Sequence, residues 1–376
     1  MFNFNINFTN GAIVKIIDGY DKPYKVTFID NDNNNIIYNT EIKKGEWSKT
    51  NDLFYRNWKI IIKDDKDTTL VDYDINLNNK NVLISFQSRS LGDTLAWIPY
   101  VDEFRKKHNC NLFCSTFLNS MFKDEYPDVT FIEPGKLPND VFAIYKIGWF
   151  TPILYNNPQD YKKIPLQQTS SDILGLKFKE IKPKIRILND NGKPTNYKYV
   201  CIAEHSTANA KHWHYPYVND NRGWQILVDW LNYKGYKVMV ISKQHTNLKN
   251  VIDRTGSYPL SCRMLEMKYS EFFIGIGSGL SWLAWTLNKK VVMISGFSYP
   301  YCEFKSNNIR IINENVCHGC FNDYKFDRGD WDWCPVYKNT KNQFECTRNI
   351  TPKMIASELV KKSLIDNIGD FNFDIF

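Results

Sequence analysis

Three times along this chain a short, uninterrupted apolar run ends in a loop of small and polar residues that opens onto a helical pattern. VLISF leads through QSRSLGD into DTLAWIPYVDEFRKKH, YVCIA leads through EHSTANAKHWHY into GWQILVDWLNYKG, and FFIGIG leads into SGLSWLAWTLN. A strand without polar alternation is one buried on both faces, the condition of a parallel strand covered by helices. The recurring order of strand, loop and helix therefore predicts doubly wound α/β sheets, whose ligands bind in loops beyond the carboxyl ends of the strands. The site is expected in QSRSLGD, EHSTANAKHWHY and GSGLSW.

In the first helical pattern Leu95, Ile98, Val101 and Phe104 recur every three residues, and Arg105, Lys106 and Lys107 close it where they complement the helix dipole. Pro99 falls within its first turns, where proline is tolerated. GWQILVDWLNYKG ends in a glycine suited to the residue after a helix, and the strands YKVMVIS and, later, KVVMIS follow. CNLFCST and VTFIE add strands to the first half, while residues 136 to 196, rich in Pro, Asn and Lys, read as a helical connector plus linker. Ahead of all this, residues 1–78 alternate short β-type runs with Asn/Asp clusters, the pattern of hairpins in a small sheet, with DNDNNN as a turn. The expected division is a β-rich accessory domain at 1–78, a first Rossmann-like half at 79–195, a second at 196–300, a cysteine finger at 301–350, and a helix and tail at 351–376.

Charge narrows the partners. With 48 basic and 41 acidic residues the chain carries a formal +7, and no Lys/Arg block tracks a phosphate backbone. Nucleic acid is therefore not the expected partner; an anionic small molecule such as a nucleotide diphosphate and an acidic protein surface suit the charge equally. The amino-terminal segment lacks a basic stretch followed by an apolar core, and no run of about 18 apolar residues occurs, so a cytoplasmic protein without a membrane span is expected.

Nine cysteines in a chain without an export signal favour metal binding or buried thiols over disulfides. Cys317 and Cys320 form a CxxC pair, followed by Cys334 and Cys346 within 30 residues in a loop rich in Gly, Asp and aromatics. That set suits tetrahedral thiolate ligation of zinc or iron, though its spacing departs from a paired ribbon and leaves buried or redox thiols as the other reading. Four thiolates leave no open position, so the site is expected to be structural. His318, inside the pair, is expected to be a bystander.

Asp93 stands where a strand-to-helix loop delivers a carboxylate to the mouth of a sheet. It is either a helix cap or first-turn acid favoured by the dipole, or a general base that takes the proton of an attacking hydroxyl. Arg89, beside it, binds phosphate or forms a salt bridge. Lys211 is the candidate cation for a leaving diphosphate, against the plain reading of a solvated lysine. Ser278 and Gly279 open an apolar helix whose N-terminal amides can face phosphate oxygens, although GIGSGL is only a partial likeness to a dinucleotide motif. His212 and His214 flank Trp213 and are more at home as hydrogen-bonding groups than as ligands.

Taken in order, SFQSRSLGDTLAW, EHSTANAKHWHY with GWQILVDWL, GSGLSWLAW and the late four-cysteine finger resemble the autotransporter heptosyltransferases of the ADP-heptose transferase superfamily, over nearly the whole chain. The resemblance implies a GT-B architecture of two Rossmann-like halves, acceptor-side at 79–195 and nucleotide-sugar-binding at 196–300, ADP-glycero-manno-heptose as donor, inverting transfer to serine hydroxyls of an adhesin passenger domain, and one ferric ion (Fe3+) held by the four cysteines. It makes Asp93 the base, Lys211 the diphosphate contact and Ser278 part of the nucleotide-side loop. Arg89, Ser90, Leu91, Gly92, Thr94, Ser206, Thr207, Gly277, Gly279 and Leu280 complete the expected substrate contacts, in a large homo-oligomer. Two other readings stand beside it: a transferase acting on lipopolysaccharide core or using another nucleotide sugar, and a noncatalytic nucleotide-binding scaffold.

Overall fold

The computed structural model describes residues 2–150, 154–187, 190, 192–193, 195–206, 215, 222–326 and 334–373. The chain divides into two compact units, one of residues 1–89 and 96–184, the other of residues 90–95 and 185–376.

The first unit begins with antiparallel structure. Strands β1 (Asn3–Asn7) and β2 (Ile13–Asp18) pair, and β3 (Tyr24–Asp30) pairs with β4 (Asn35–Ile42) through the Asn-rich turn, where Asn34 takes φ 58°. Asparagine tolerates that left-handed conformation better than other side chains, which is why the tract turns. Strand β5 (Trp47–Lys49) completes a three-stranded sheet, order β1-β2-β5, and β6 (Trp58–Lys63) and β7 (Thr69–Asp74) a four-stranded one, order β4-β3-β6-β7. Along β3 and β6 alternate residues are buried, Tyr24, Val26 and Phe28 against Trp58, Ile60 and Ile62, so each strand turns one face inward.

The same unit then becomes parallel α/β. Strand β8 (Asn81–Phe86) leads to helix α1 (Leu91–His108), then β9 (Asn111–Ser115), β10 (Val129–Phe131), β11 (Val141–Ile147) and helix α2 (Leu166–Ile173). The sheet order is β10-β9-β8-β11, all parallel. Strand β11 corrects the sequence reading, which placed only a helical connector and linker over residues 136 to 196. VFAIYKI pairs with β8 from Val141 to Ile147, with a register shift at Phe142, and buries Ala143, Tyr145 and Ile147. The surrounding Pro and Asn composition hid this short β-rich run. Pro99 also lies deeper than expected, midway along an 18-residue helix whose interior must do without one backbone donor. At the edge of β11 the chain's beginning returns: Phe8 N–H donates to Phe142 O at 2.8 Å and Ile144 N–H to Phe8 O at 3.1 Å.

The second unit is built on one six-stranded parallel sheet. Its elements are β12 (Tyr199–Ala203), α3 (Arg222–Tyr233), β13 (Lys237–Val240), β14 (Ile252–Asp253), α4 (Leu260–Lys268), β15 (Phe273–Ile276), α5 (Gly279–Thr286), β16 (Val291–Ile294) and β17 (Asn308–Ile311). The short α6 (Glu345–Arg348) and α7 (Pro352–Lys361) follow. The strand order is β14-β13-β12-β15-β16-β17. Every residue of β12, β15 and β16 is buried, as their unbroken apolar runs require. Val200, Ile202, Ile274, Ile276, Val292 and Ile294 share a core with Trp224, Trp230 and Leu231 of α3 and Ile355 and Leu359 of α7. Full burial of each such side chain contributes roughly 1.5–3 kcal/mol. Among the described residues no helix is long and apolar enough to cross a membrane.

Candidate functional site

In the second unit the strand order reverses between β12 and β15: successive connections run outward from β12 to β13 and β14, and the chain then returns to lay β15 on the other side of β12. Such a switch point leaves a crevice beyond the strand ends, the usual ligand site of this architecture. The loops that leave it are the EHST and GSGL segments. On the β12 side Glu204 is fully buried and His205 is half-buried, its backbone N–H donating to Ser242 Oγ at 3.3 Å. Burial pushes the Glu204 carboxyl up, a Thr246 hydrogen bond opposing it, and pushes the His205 imidazole down, so both lean toward their neutral forms. Sequence reading passed over Glu204; an acid directly after a fully apolar strand was the only sign of it. Ser206 is half-buried. Thr207, Lys211, His212 and His214 lie outside the described residues.

On the β15 side Ser278 occupies the cap of α5, at φ −136°, and its backbone carbonyl accepts from Ser281 N–H (3.1 Å) and Trp282 N–H (3.3 Å). Its hydroxyl does not cap the helix, and Ser278 Oγ is buried without a hydrogen-bond partner among the described residues. Gly277 is buried; Gly279 and Leu280 are half-buried.

Residues 90–95 group with this second unit. Ser90 takes the capping place of α1: its carbonyl accepts from Thr94 N–H (3.1 Å) and Thr94 Oγ1 (2.8 Å), and its Oγ lies 3.5 Å from the Asp93 amide. Asp93 is thus a half-buried acid of the first helical turn rather than the cap itself, where the positive end of the dipole favours its charged form. Gly92 and Gly279 bring the starts of α1 and α5 into contact. A Cβ on Gly92 would stand 3.4 Å from Gly279 Cα, and one on Gly279 would stand 3.0 Å from Leu91 Cβ and 3.1 Å from Gly92 N. The structure therefore brings Ser90, Leu91, Gly92, Asp93 and Thr94 together with the GSGL turn. Arg89, in the first unit, lies with its guanidinium 4.7 Å from the Phe117 ring centre, an aromatic contact where the sequence suggested phosphate or a salt bridge.

The cysteines gather at a separate place in the second unit. Burial raises all four thiols, Cys346 to about 12, and each of Cys320, Cys334 and Cys346 is pushed further by neighbouring members of the set. Cys317 is raised by burial and by Glu345 and Asp323, against a hydrogen bond with Cys320. The backbone N–H of Phe344 donates to Cys334 Sγ at 3.0 Å, from a left-handed conformation (φ 62°) unusual for a bulky residue. No disulfide joins the described cysteines. Among the described residues no three His, Cys, Asp or Glu side chains form a ready ligand set, so the thiols are neighbours without closing on one point. The donor chemistry nevertheless fits a soft or borderline cation: four sulfurs that repel one another as thiolates, one already receiving an amide N–H. His318 is tied by Nδ1 to Val316 O at 2.7 Å and meets the Tyr299 ring edge-on. The finger also has an apolar base, Phe297, Phe321 and Phe326 with ring centres 5.3–6.0 Å apart.

No family model matches the sequence. Individual proteins do. The autotransporter heptosyltransferase Aah of Escherichia coli is 36% identical over 367 residues, covering 93% of this chain and 90% of Aah. The autotransporter heptosyltransferase TibC of Escherichia coli is 35% identical over 376 residues, covering 96% of this chain and 89% of TibC. The crystal structure of TibC, described as an iron-containing dodecameric glycosyltransferase, superimposes with a TM-score of 0.86 at 33% identity over 96% of each chain, as does TibC in complex with ADP-D-β-D-heptose. A protein named inactive autotransporter heptosyltransferase BimC, from Burkholderia thailandensis, is 30% identical over 76% of this chain and 69% of its own.

Proposed function

The chain belongs to the autotransporter heptosyltransferases, and on that premise we propose that it transfers heptose from ADP-glycero-manno-heptose to serine hydroxyls of an autotransporter adhesin, inverting the anomeric centre, with Asp93 as general base. Heptosyl transfer is the activity of its family; the acceptor, the stereochemistry and the base are the proposal. The observation that carries it is the contact of the two helix starts, which sets the Asp93 turn against the GSGL turn at the switch point where α/β sheets bind ligands.

The chemistry follows from these positions. A serine hydroxyl attacks the anomeric carbon as its proton passes to the Asp93 carboxylate, the new C–O bond forming on the face opposite the bond to the diphosphate. That bond breaks and its electron pair leaves on the β-phosphate as ADP. Backbone amides at the start of α5 and the Ser278 hydroxyl, without a partner among the described residues, suit the phosphate oxygens, and Lys211 supplies a cation. Arg89, Ser90, Leu91, Gly92, Thr94, Ser206, Thr207, Gly277, Gly279 and Leu280 are the further substrate contacts of this reading. Cys317, Cys320, Cys334 and Cys346 would hold one iron ion, which supplies order to the finger and takes no part in the transfer. The division into accessory domain, two Rossmann-like halves, finger and tail belongs to this reading, as do a cytoplasmic location and assembly into a large homo-oligomer, the state described for TibC.

The test is donor turnover with mass spectrometry of the acceptor. Purified protein, ADP-heptose and an adhesin passenger domain should release ADP and add heptose mass to serine-containing peptides. Because BimC is named inactive, turnover must be measured rather than binding alone. A protein that binds ADP-heptose and releases no ADP in the presence of acceptor is a scaffold, and heptose found only on lipopolysaccharide core would overturn the acceptor.

A further inference from the structure

We infer that Gly92 and Gly279 are positioning residues: the absence of a side chain at each locks the turn that bears Asp93 onto the donor-side turn, and this contact sets how far the carboxylate stands from the anomeric carbon. The inference rests on the reading of Asp93 as base.

Neither glycine is needed for its backbone conformation. Both lie in the first turn of a helix and neither takes a positive φ. There alanine is intrinsically better by roughly 0.8–1 kcal/mol in a helix interior, so propensity favours replacing them. Space does not. A Cβ on Gly279 meets Leu91 Cβ at 3.0 Å and Gly92 N at 3.1 Å, atoms fixed to the α1 backbone that cannot swing aside. A Cβ on Gly92 meets Trp282 Cδ1 at 3.2 Å. Trp282 is only 3% exposed and packs edge-on against the stacked Trp285 and Phe304 rings, at 5.5 Å and 5.0 Å. The least costly response to either added methyl is to move the Asp93 turn away from the GSGL turn by a few tenths of an ångström. Proximity effects are steep, about a hundredfold in rate for a misplacement of about 1 Å, so a shift of about 0.3–0.5 Å costs roughly four- to tenfold.

The experiment compares Gly279→Ala with Asp93→Asn, measuring kcat by ADP release with passenger domain, donor Kd by calorimetry, and melting temperature. For Gly279→Ala a roughly four- to tenfold lower kcat is expected, with donor Kd within about twofold and melting temperature unchanged or raised. Adding Leu91→Gly removes the nearest obstructing atom, so that, measured against Leu91→Gly alone, Gly279→Ala should lose most of its effect, a coupling that a merely destabilised fold would not display. Wild-type kcat in Gly279→Ala, a loss of donor affinity matching the loss of kcat, or an undiminished effect of Gly279→Ala beside Leu91→Gly each overturns the inference. Should Asp93→Asn itself keep wild-type transfer, the base reading falls and carries the inference with it. An inactive Asp93→Asn beside a fully active Gly279→Ala removes the inference alone.

Discussion

Replacing Asp93 by Asn removes one charge and leaves the shape of the turn. Two magnitudes separate the readings of this residue. As a first-turn acid Asp93 stabilises α1 through the helix dipole by about 0.3–1 kcal/mol, which in a unit of this size lowers the melting temperature by roughly 1–4 °C. Ser90 keeps its capping contacts and Gly92 its contact with Gly279, since neither involves the carboxylate. As general base its loss costs roughly 10²- to 10⁴-fold in rate, equal to about 2.7–5.4 kcal/mol of transition-state stabilisation. The kinetic penalty therefore exceeds the structural one several times over. The assay is ADP release under saturating ADP-heptose with passenger domain, beside donor calorimetry and thermal unfolding. Expected is a hundredfold or greater fall in kcat with donor Kd nearly unchanged. Transfer within about threefold of wild type would reduce Asp93 to an electrostatic helix stabiliser.

Lys211→Ala should lower kcat and weaken ADP-heptose binding with little change in melting temperature; unchanged kinetics would return Lys211 to the solvated surface. Replacing any one of Cys317, Cys320, Cys334 or Cys346 with Ser should release the metal and loosen the finger or the assembly, leaving the chemistry of surviving protein intact. Elemental analysis and the thiolate-to-iron absorption decide the metal: zinc overturns iron, and metal-free, fully folded protein overturns the finger. Two half-buried groups of the first unit titrate in opposition. Burial lowers His108 to about 4, so the unfolded chain binds the extra proton and stability rises with pH from about 4 to 6.5. Burial raises Asp172 to about 6, so the folded protein holds the extra proton and stability falls as pH rises from about 3.8 to 6. The slopes oppose, and Asp172→Asn should make the melting temperature climb steadily from pH 4 to 6.5; a profile parallel to wild type would refute the opposition.

The parallel sheets were legible because burial on both faces writes an unbroken apolar run, as in β12 and β16. Strand β11 was not, since its neighbours Pro138, Asn139 and Asp140 speak of turns and its place beside β8 is a tertiary fact. At the site, SLGD and GSGL could each be recognised as a strand-to-helix turn. That Gly92 touches Gly279 could not, because nothing in either loop specifies a partner some 190 residues away. Glu204 was missed for a similar reason: its burial depends on Thr246 and the end of β13, not on its own neighbours. The cysteine set was visible by residue type and proximity in sequence, whereas the strained Phe344 that offers its amide to Cys334 leaves no local signature.

The pairing of Phe8 with β11 has a consequence for synthesis on the ribosome. Phe8 emerges about 135 residues before its partner Ala143, an interval of roughly 7–27 s at bacterial-to-eukaryotic elongation rates of about 5–20 residues per second. Throughout that time the Phe8 N–H and C=O lack their final partners, although β1 can already pair with β2. The nascent chain thus carries this join unmade through about a third of its own translation, and conditions that slow elongation across residues 80–140 should lower the yield of folded enzyme without changing the specific activity of what folds.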